Sequence, residues 1–327
     1  MGIKNGIFTI SLDFELYWGL RDKRTIQEYE GNLKGVPGAI DKILALFEEY
    51  EVHATWATVG FLFAKNFREL SDYMPNKEPC YLNDKLSPYL YMQKLKNFED
   101  GYHCAPLLID KISNSKNQEV ASHTFSHYYC LERGQSLSEF EFDINSAVKI
   151  AESKGIDIKS LVFPRNQYNE QYLSVLKKHS ITSYRGNEES WLYKSLSGDG
   201  GVVRRALRLL DAYVNLSGKN CYNIDLLGLK LPNNIPSSRF LRPVSKRFSL
   251  LENLRRKRIT NALTYAAKNN KVYHLWWHPH NFGLNTEANI NFLESILVCY
   301  SELNKKYGMT SLNMNEVSQL IQRDRKV

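Results

Sequence analysis

Nowhere does the 327-residue chain hold the roughly 20 consecutive apolar residues that a membrane-spanning helix needs. Its start, Met1 to Asn5, lacks the apolar run and small-residue cleavage site of an export signal and leads straight into an apolar segment at 7–12. Cysteine is scarce: Cys80, Cys104, Cys130, Cys221 and Cys299 are odd in number and dispersed, with no Cys-x-x-Cys pair to suggest a zinc ribbon or redox chemistry. They are expected to be reduced thiols, and the chain is expected in the cytoplasm, with a peripheral position at the inner membrane surface left open. With 18 glycines and 10 prolines there is no bias toward disorder. Helix-turn-helix, zinc-finger and RNA-binding signatures are missing as well, so a formal net charge of +8 is not assigned to nucleic acid.

What is present begins with that charge, much of which is local. Arg239, Arg242, Lys246, Arg247, Arg255, Arg256, Lys257 and Arg258 crowd one stretch. Such a stretch either touches diphosphate or anionic lipid or forms a solvated helical face. Short apolar runs followed by amphipathic stretches predict parallel strands alternating with covering helices. Strands are expected at 6–13, 53–59, 119–123, 160–164, 182–185, 205–209 and 272–278. Helices are expected at 37–50, 60–66, 107–113, 137–154, 169–178, 250–269, 286–307 and 315–322. The pattern implies an α/β fold built as one domain over 1–327, with irregular insertions at about 71–105 and 217–249.

Four strand ends carry the chemistry. Asp13 and Glu15 stand two apart at the end of the first strand, so both carboxylates can share one face. His123 and His127 follow the third strand at a spacing of four, which on a helical turn aims two imidazoles at one ion. Two imidazoles and a carboxylate with open positions suit a catalytic divalent cation, zinc, iron, cobalt or nickel among them, and a second carboxylate can take the proton of a water. His278, before Pro279 and Gly283, ends the last strand and can protonate a departing amine; His280 shares that candidacy. After the fourth strand come Arg165, which either pairs with Asp13 or lies on a solvated loop, and Asn166, a candidate donor to substrate.

Taken in order, Ser11 to Glu15, His53 to Gly60, Ser122 to His127, Phe163 to Asn166 and Leu275 to His280 resemble the motifs of the polysaccharide deacetylase family, carbohydrate esterase family four. The resemblance covers most of the chain. It implies a distorted (β/α) barrel of seven or eight parallel strands, one divalent metal ion, most often zinc, and removal of an N-acetyl group through a tetrahedral intermediate. It also implies Asp13 as base, His278 as acid, Glu15, His123 and His127 as metal ligands, and Arg165 as the residue orienting Asp13. Trp191 corresponds either to an aromatic lining the acyl pocket or to a core tryptophan. Two departures stand out: Asp-Phe-Glu replaces the adjacent aspartates of many members, resembling a branch with a one-residue gap, and the usual Arg-x-Pro order is reversed as Pro164-Arg165. The expected substrate is an N-acylated sugar, nucleotide- or lipid-linked, in surface-polysaccharide biosynthesis. The alternatives are a catalytically silent carbohydrate-binding protein and a deformylase or cyclic amidase on the same scaffold.

Overall fold

The first strand, β1 (Ile7–Phe14), is buried at every position, as a parallel strand between two layers must be. Its residues alternate between two apolar clusters. Phe8, Ile10, Leu12 and Phe14 join the large core shared with the helices. Ile7 joins a smaller cluster with Ala57, Val162, Val272, Met314 and Val317. The odd positions therefore face the inside of the curled sheet and the even ones its helical coat.

The computed structural model describes residues 5–95, 98–99, 101–194, 201–227 and 230–324. Beside β1 lie β2 (Ala54–Thr58), β3 (Gln118–Ser122), β4 (Ser160–Val162) and β5 (Ser183–Arg185), each parallel to the one before. Four two-residue ladders and one long strand complete the sheet: β6 (Tyr222–Asn223), β7 (Asn233–Asn234), β8 (Arg239–Phe240), β9 (Lys271–Trp277) and β10 (Thr310–Ser311). β9 pairs with the other edge of β1, parallel to it and to β8, while β6 runs antiparallel to β9.

Residues 233–241 close the barrel by pairing with both free edges. Ile235 N–H donates to Tyr184 O (2.9 Å) and Ser237 N–H to Gly186 O (2.9 Å), while Ser238 N–H donates to His274 O and Leu241 N–H to Trp276 O (2.7 Å each). This corrects the expectation of an irregular insertion at 217–249, which supplies β6, β7 and β8. Its Pro, Asn and Ser content looks like loop because each ladder is only two residues long. Residues 71–105 contribute short helical turns, Asp84–Leu86 and Pro88–Met92 among them.

The expected strand at 205–209 is a second correction, since it lies within the helix Val202–Asp211. Ala, Leu and Arg there are strong helix formers, and the apolar residues recur at helical rather than alternate spacing. The remaining expected helices are found close to their expected places, including Val36–Glu49, Leu137–Glu152, Glu252–Lys268, Thr286–Tyr307 and Met314–Asp324, whereas 60–66 is a 3-10 turn, Gly60–Phe63.

The basic stretch from Arg239 to Arg258 is in part structural. Arg239, Arg255 and Arg258 are buried. Arg239 and Arg258 reach Asp211 at 3.0 and 3.5 Å, and Arg255 pairs with Glu252. Asp211 also accepts from Tyr193 Oη and from Leu216 and Ser217 N–H, 2.8 Å each. Burial opposes its charge, yet Arg239 and these donors hold the carboxyl far below the usual carboxylate range. Replacing Asp211 by Ala leaves two guanidinium groups buried without a counter-charge, and urea unfolding should register a loss of about 3–5 kcal/mol. An unchanged midpoint would refute this account of the basic stretch.

Candidate active site

Glu15 comes one residue after β1, and His123 and His127 come after β3, so all three rise from the C-terminal rim of the barrel. Their ligand atoms lie within 4.8 Å of one another, and all three side chains are buried. Glu15 Oε2 is 2.9 Å from His127 Nε2 and 3.4 Å from His123 Nε2. Gly19 makes room for this carboxylate, because a Cβ at that position would fall 2.1 Å from it.

The two imidazoles converge through a loop rather than the helical turn expected from their spacing. Thr124 and His127 adopt left-handed backbone angles (φ 64° and 59°), which are costly for a β-branched threonine. Local bonds hold that shape. Thr124 Oγ1 accepts from Tyr128 N–H (2.7 Å) and donates to His123 O (2.6 Å). Asp143, on the inner side of Leu137–Glu152, accepts from Phe125 N–H (2.7 Å), Ser126 N–H (3.1 Å) and the Ser126 hydroxyl. Burial pushes the Asp143 carboxyl up to about 7 in spite of these donors.

Protonation geometry tests whether a cation fits. His123 Nδ1–H donates to Val162 O at 2.8 Å, which leaves Nε2 as a bare lone pair turned toward Glu15. That Nε2 is buried without a hydrogen-bond partner. Two electron-rich atoms facing each other in a dry site call for a positive charge between them. Burial opposes ionisation of Glu15, but His278 and His127 hold it well below the usual carboxylate range. The donor set, its burial and the orphaned nitrogen fit a divalent cation held by Glu15, His123 and His127.

Asp13 stands beside this site in a fork made by Arg185, at the end of β5. Arg185 Nη1 donates to Asp13 Oδ1 at 2.6 Å and Nη2 to Oδ2 at 2.7 Å. Arg185 also donates to Ser11 Oγ and Asn166 Oδ1, 2.9 Å each, and its guanidinium packs 4.2 Å from the Trp276 ring centre. Burial would raise the Asp13 carboxyl, but Arg185 overcomes it and keeps the group ionised. Behind Ser11, His274 Nε2 lies 2.8 Å from the hydroxyl and Nδ1 donates to Ile235 O (3.1 Å).

His278 aims Nε2 at both acids, 3.6 Å from Glu15 Oε1 and 3.8 Å from Asp13 Oδ2. Tyr29 Oη–H donates to Asn281 Oδ1 (3.2 Å), which turns the Asn281 amide N–H₂ toward His278 Nδ1 (3.3 Å). That arrangement leaves the imidazole proton on Nε2, facing the site. His280 stacks on His278 with ring centres 4.9 Å apart, and burial lowers it to about 3, so it stays neutral.

Arg165 and Trp191 meet different geometry from that expected, and Asn166 keeps its candidacy. Arg165 does not hold Asp13: it pairs with Asp22 (2.6 and 2.5 Å) and lies over the Tyr129 ring, because its left-handed backbone turns it the other way. Trp191 is neither core nor pocket lining, being 65% exposed on the 3-10 turn Trp191–Tyr193. Asn166 is at the site, with its carbonyl oxygen committed to Arg185. Sequence reasoning missed Arg185, Asp143 and Asn281. An arginine ending an apolar strand and an acid among Phe140, Ile144 and Ala147 on the core side of a helix were the available signals for the first two.

Elemental analysis should find Glu15→Ala, His123→Ala and His127→Ala each depleted in bound metal, and full occupancy in all three would refute the site. Without metal, acid should unfold the chain. Burial lowers His127 to about 4 and His274 and His280 to about 3 from 6.5. The unfolded chain therefore binds more protons between about pH 4 and 6.5, and stability present above that window is lost as pH falls through it, by up to about 1.4 kcal/mol per pH unit for each ring. Asp143, raised to about 7, offsets roughly one of these. Urea midpoints of chelator-treated protein should drop clearly from pH 7 to pH 5, and equal midpoints would contradict the neutral buried rings.

Comparison with known proteins bears on the fold. The polysaccharide deacetylase family model matches residues 32–184, a stretch holding His123 and His127 but not Asp13, Glu15 or His278. No curated protein matches the chain in sequence. Among solved structures, a protein assigned as a polysaccharide deacetylase from Mycobacterium smegmatis superimposes with a TM-score of 0.60 at 12% identity, over 98% of this chain and 92% of that one. An allantoinase superimposes with a TM-score of 0.55 at 10% identity, over 97% and 90%. The architecture is thus the curled, mostly parallel (β/α) barrel of these structures, and the likeness to the polysaccharide deacetylase family model extends over residues 32–184, less than half of the chain.

Proposed function

We propose that this chain is a divalent-metal-dependent hydrolase that removes an N-acetyl or other N-acyl group from an amino sugar, an intermediate of surface-polysaccharide biosynthesis. The observation that carries the reading is the meeting of a Glu-His-His donor set with an ionised acid and a histidine that bridges both carboxylates. Zinc is the proposed cation, on a donor set that iron, cobalt and nickel also suit. A cytoplasmic setting fits five cysteines that form no disulfide, two of them buried.

The bound cation would polarise the acyl carbonyl and acidify the attacking water. Asp13 takes that water's proton. Arg185 occupies one side of each carboxylate oxygen and leaves further lone pairs for the water, so the acid is oriented without being filled. The same fork lowers its basicity, which suits a water already acidified. His278 carries its proton on Nε2 toward the site, between the two carboxylates, and gives it to the departing amine. His280 packs against that ring and fixes its plane.

Asp13→Asn should keep its metal and lose about 10²–10⁴-fold in turnover, since it removes a base but no ligand. Arg185→Lys should also slow turnover, because an ammonium cannot reproduce the fork, whereas Arg165→Lys should change it far less. The assay is acetate or formate released from nucleotide-linked and lipid-linked N-acyl sugars by metal-loaded protein. Normal turnover in Asp13→Asn would remove the base assignment, and release from none of the substrates would favour a silent carbohydrate-binding protein.

A further inference from the structure

The helix Val202–Asp211 lies on the barrel with its polar side inward. At 3.6 residues per turn, Val202, Val203, Ala206 and Leu210 fall on one side and Arg204, Arg208 and Asp211 on the other. The polar side makes the contacts: Arg204 Nε donates to Leu192 O (2.8 Å), Arg208 Nε to the same oxygen (2.9 Å), and Asp211 is buried in its pair with Arg239. The apolar side faces outward, with Val202 72%, Val203 74% and Leu210 47% exposed. An amphipathic helix resting in water does the reverse.

A second segment extends this surface. Phe248, in the turn Lys246–Leu251, meets Tyr213 just beyond the helix at 6.0 Å between ring centres, and Leu250 beside it is 92% exposed. Trp191, 65% exposed, sits at the helix's inner flank, where Arg204 Nη2 donates to its carbonyl. Single exposed apolar residues are ordinary, but Val202, Val203 and Leu210 exposed along one side of a helix, with Leu250 and Trp191 exposed on adjoining segments, make a surface suited to a partner. Lys246 and Arg247, in the same turn as Leu250, are both exposed.

We propose that Val202–Asp211 and Lys246–Leu251 dock the chain on an anionic lipid bilayer, apolar side down. Charge selects this occupant. A bilayer of acidic headgroups accepts apolar side chains and neutralises the surrounding cations in one contact, and an exposed tryptophan suits the headgroup layer. A second copy seated on the same surface would bring like charges together, at a cost.

Position gives the docking a purpose. Both segments begin beyond the C-terminal ends of β5 and β8, on the face that carries Glu15 and His278. Contacts reach from the site toward the second segment: the Phe240 ring lies 5.7 Å from His278, and Arg242, four residues before Lys246, lies 5.9 Å from Phe240. On the proposed activity, and resting on it, the docked chain would meet an amino sugar carried on a lipid at the bilayer surface.

The experiment is co-sedimentation of the full chain with vesicles of equimolar phosphatidylglycerol and phosphatidylcholine, against phosphatidylcholine alone. Binding is expected to the anionic vesicles, weaker in high salt, and at least about tenfold weaker when Val203→Asp and Leu210→Asp are combined, since each removes a buried apolar side chain from the contact. Circular dichroism and metal content should be unchanged in that variant, both positions being exposed. Vesicles should shift tryptophan emission to the blue, and Trp191→Phe should abolish the shift. A chain left in the supernatant, or a variant that sediments like the parent, overturns the proposal. So does a dimer by light scattering that Val203→Asp splits, which would give the surface to a second copy. No substrate enters this assay, so its failure leaves the hydrolase reading standing, and failed turnover leaves the docking standing.

Discussion

Arg185 is a guanidinium with no exposed surface inside a closed sheet, and the site is arranged around the need to balance its charge. An unpaired ion there would cost several kcal/mol, and an arginine fork is best matched by a carboxylate accepting on both oxygens. Asp13 supplies that match from β1, which is not a neighbour of β5 in the sheet. The pair therefore spans the barrel interior. Residues 233–241, by joining the edges of β5 and β9, hold the two ends of that span at bonding distance. Asn166 and Ser11 accept from the second N–H of each terminal guanidinium nitrogen, and His274 takes the Ser11 hydroxyl, so four strands are fastened to one charge. Such a network sets the direction of the Asp13 carboxylate before any substrate arrives.

How much of this the sequence discloses depends on whether the chemistry is local. His123 and His127 are legible because their spacing alone brings them together, even though a left-handed loop rather than a helical turn does it. Asp13 and Glu15 are legible as neighbours at a strand end, and five of the long helices follow from apolar periodicity. Arg185 is not legible as a partner of Asp13, since the pairing depends on which strands face each other across the interior. The closing segment is hidden for a related reason: two-residue ladders have no alternation to detect. Val202–Asp211 fails differently. Its polar side is the docked one, so the habit of assigning apolar residues to the core misplaces it.

The inward face of β1 shows why the chemistry sits at one end. From Ile7 through Thr9 and Ser11 to Asp13, the side chains change from apolar to charged along one strand. Ile7 packs against Val272, Met314 and Val317, with the last helix stopping that end of the barrel. The other end is lined by groups whose charges are little screened, where fixed dipoles and ions act strongly on one another. Stability is thus concentrated in the plug, and the rim is free to hold groups that repel or lack partners.

Glu15, His123 and His127 follow from that division. Without a cation, Glu15 can share a proton with His127 across 2.9 Å, but His123 has already given its proton to Val162 and can only present a second lone pair. The loop that creates this conflict is held by Thr124 and Asp143, whose bonds do not involve the ligands' inner atoms, so it does not relax when the cation leaves. A divalent ion held by these three residues would remove the conflict by taking an electron pair from each. Its binding free energy would then be drawn partly from repulsion stored in the folded chain, which couples uptake of the metal to the stability of the fold itself.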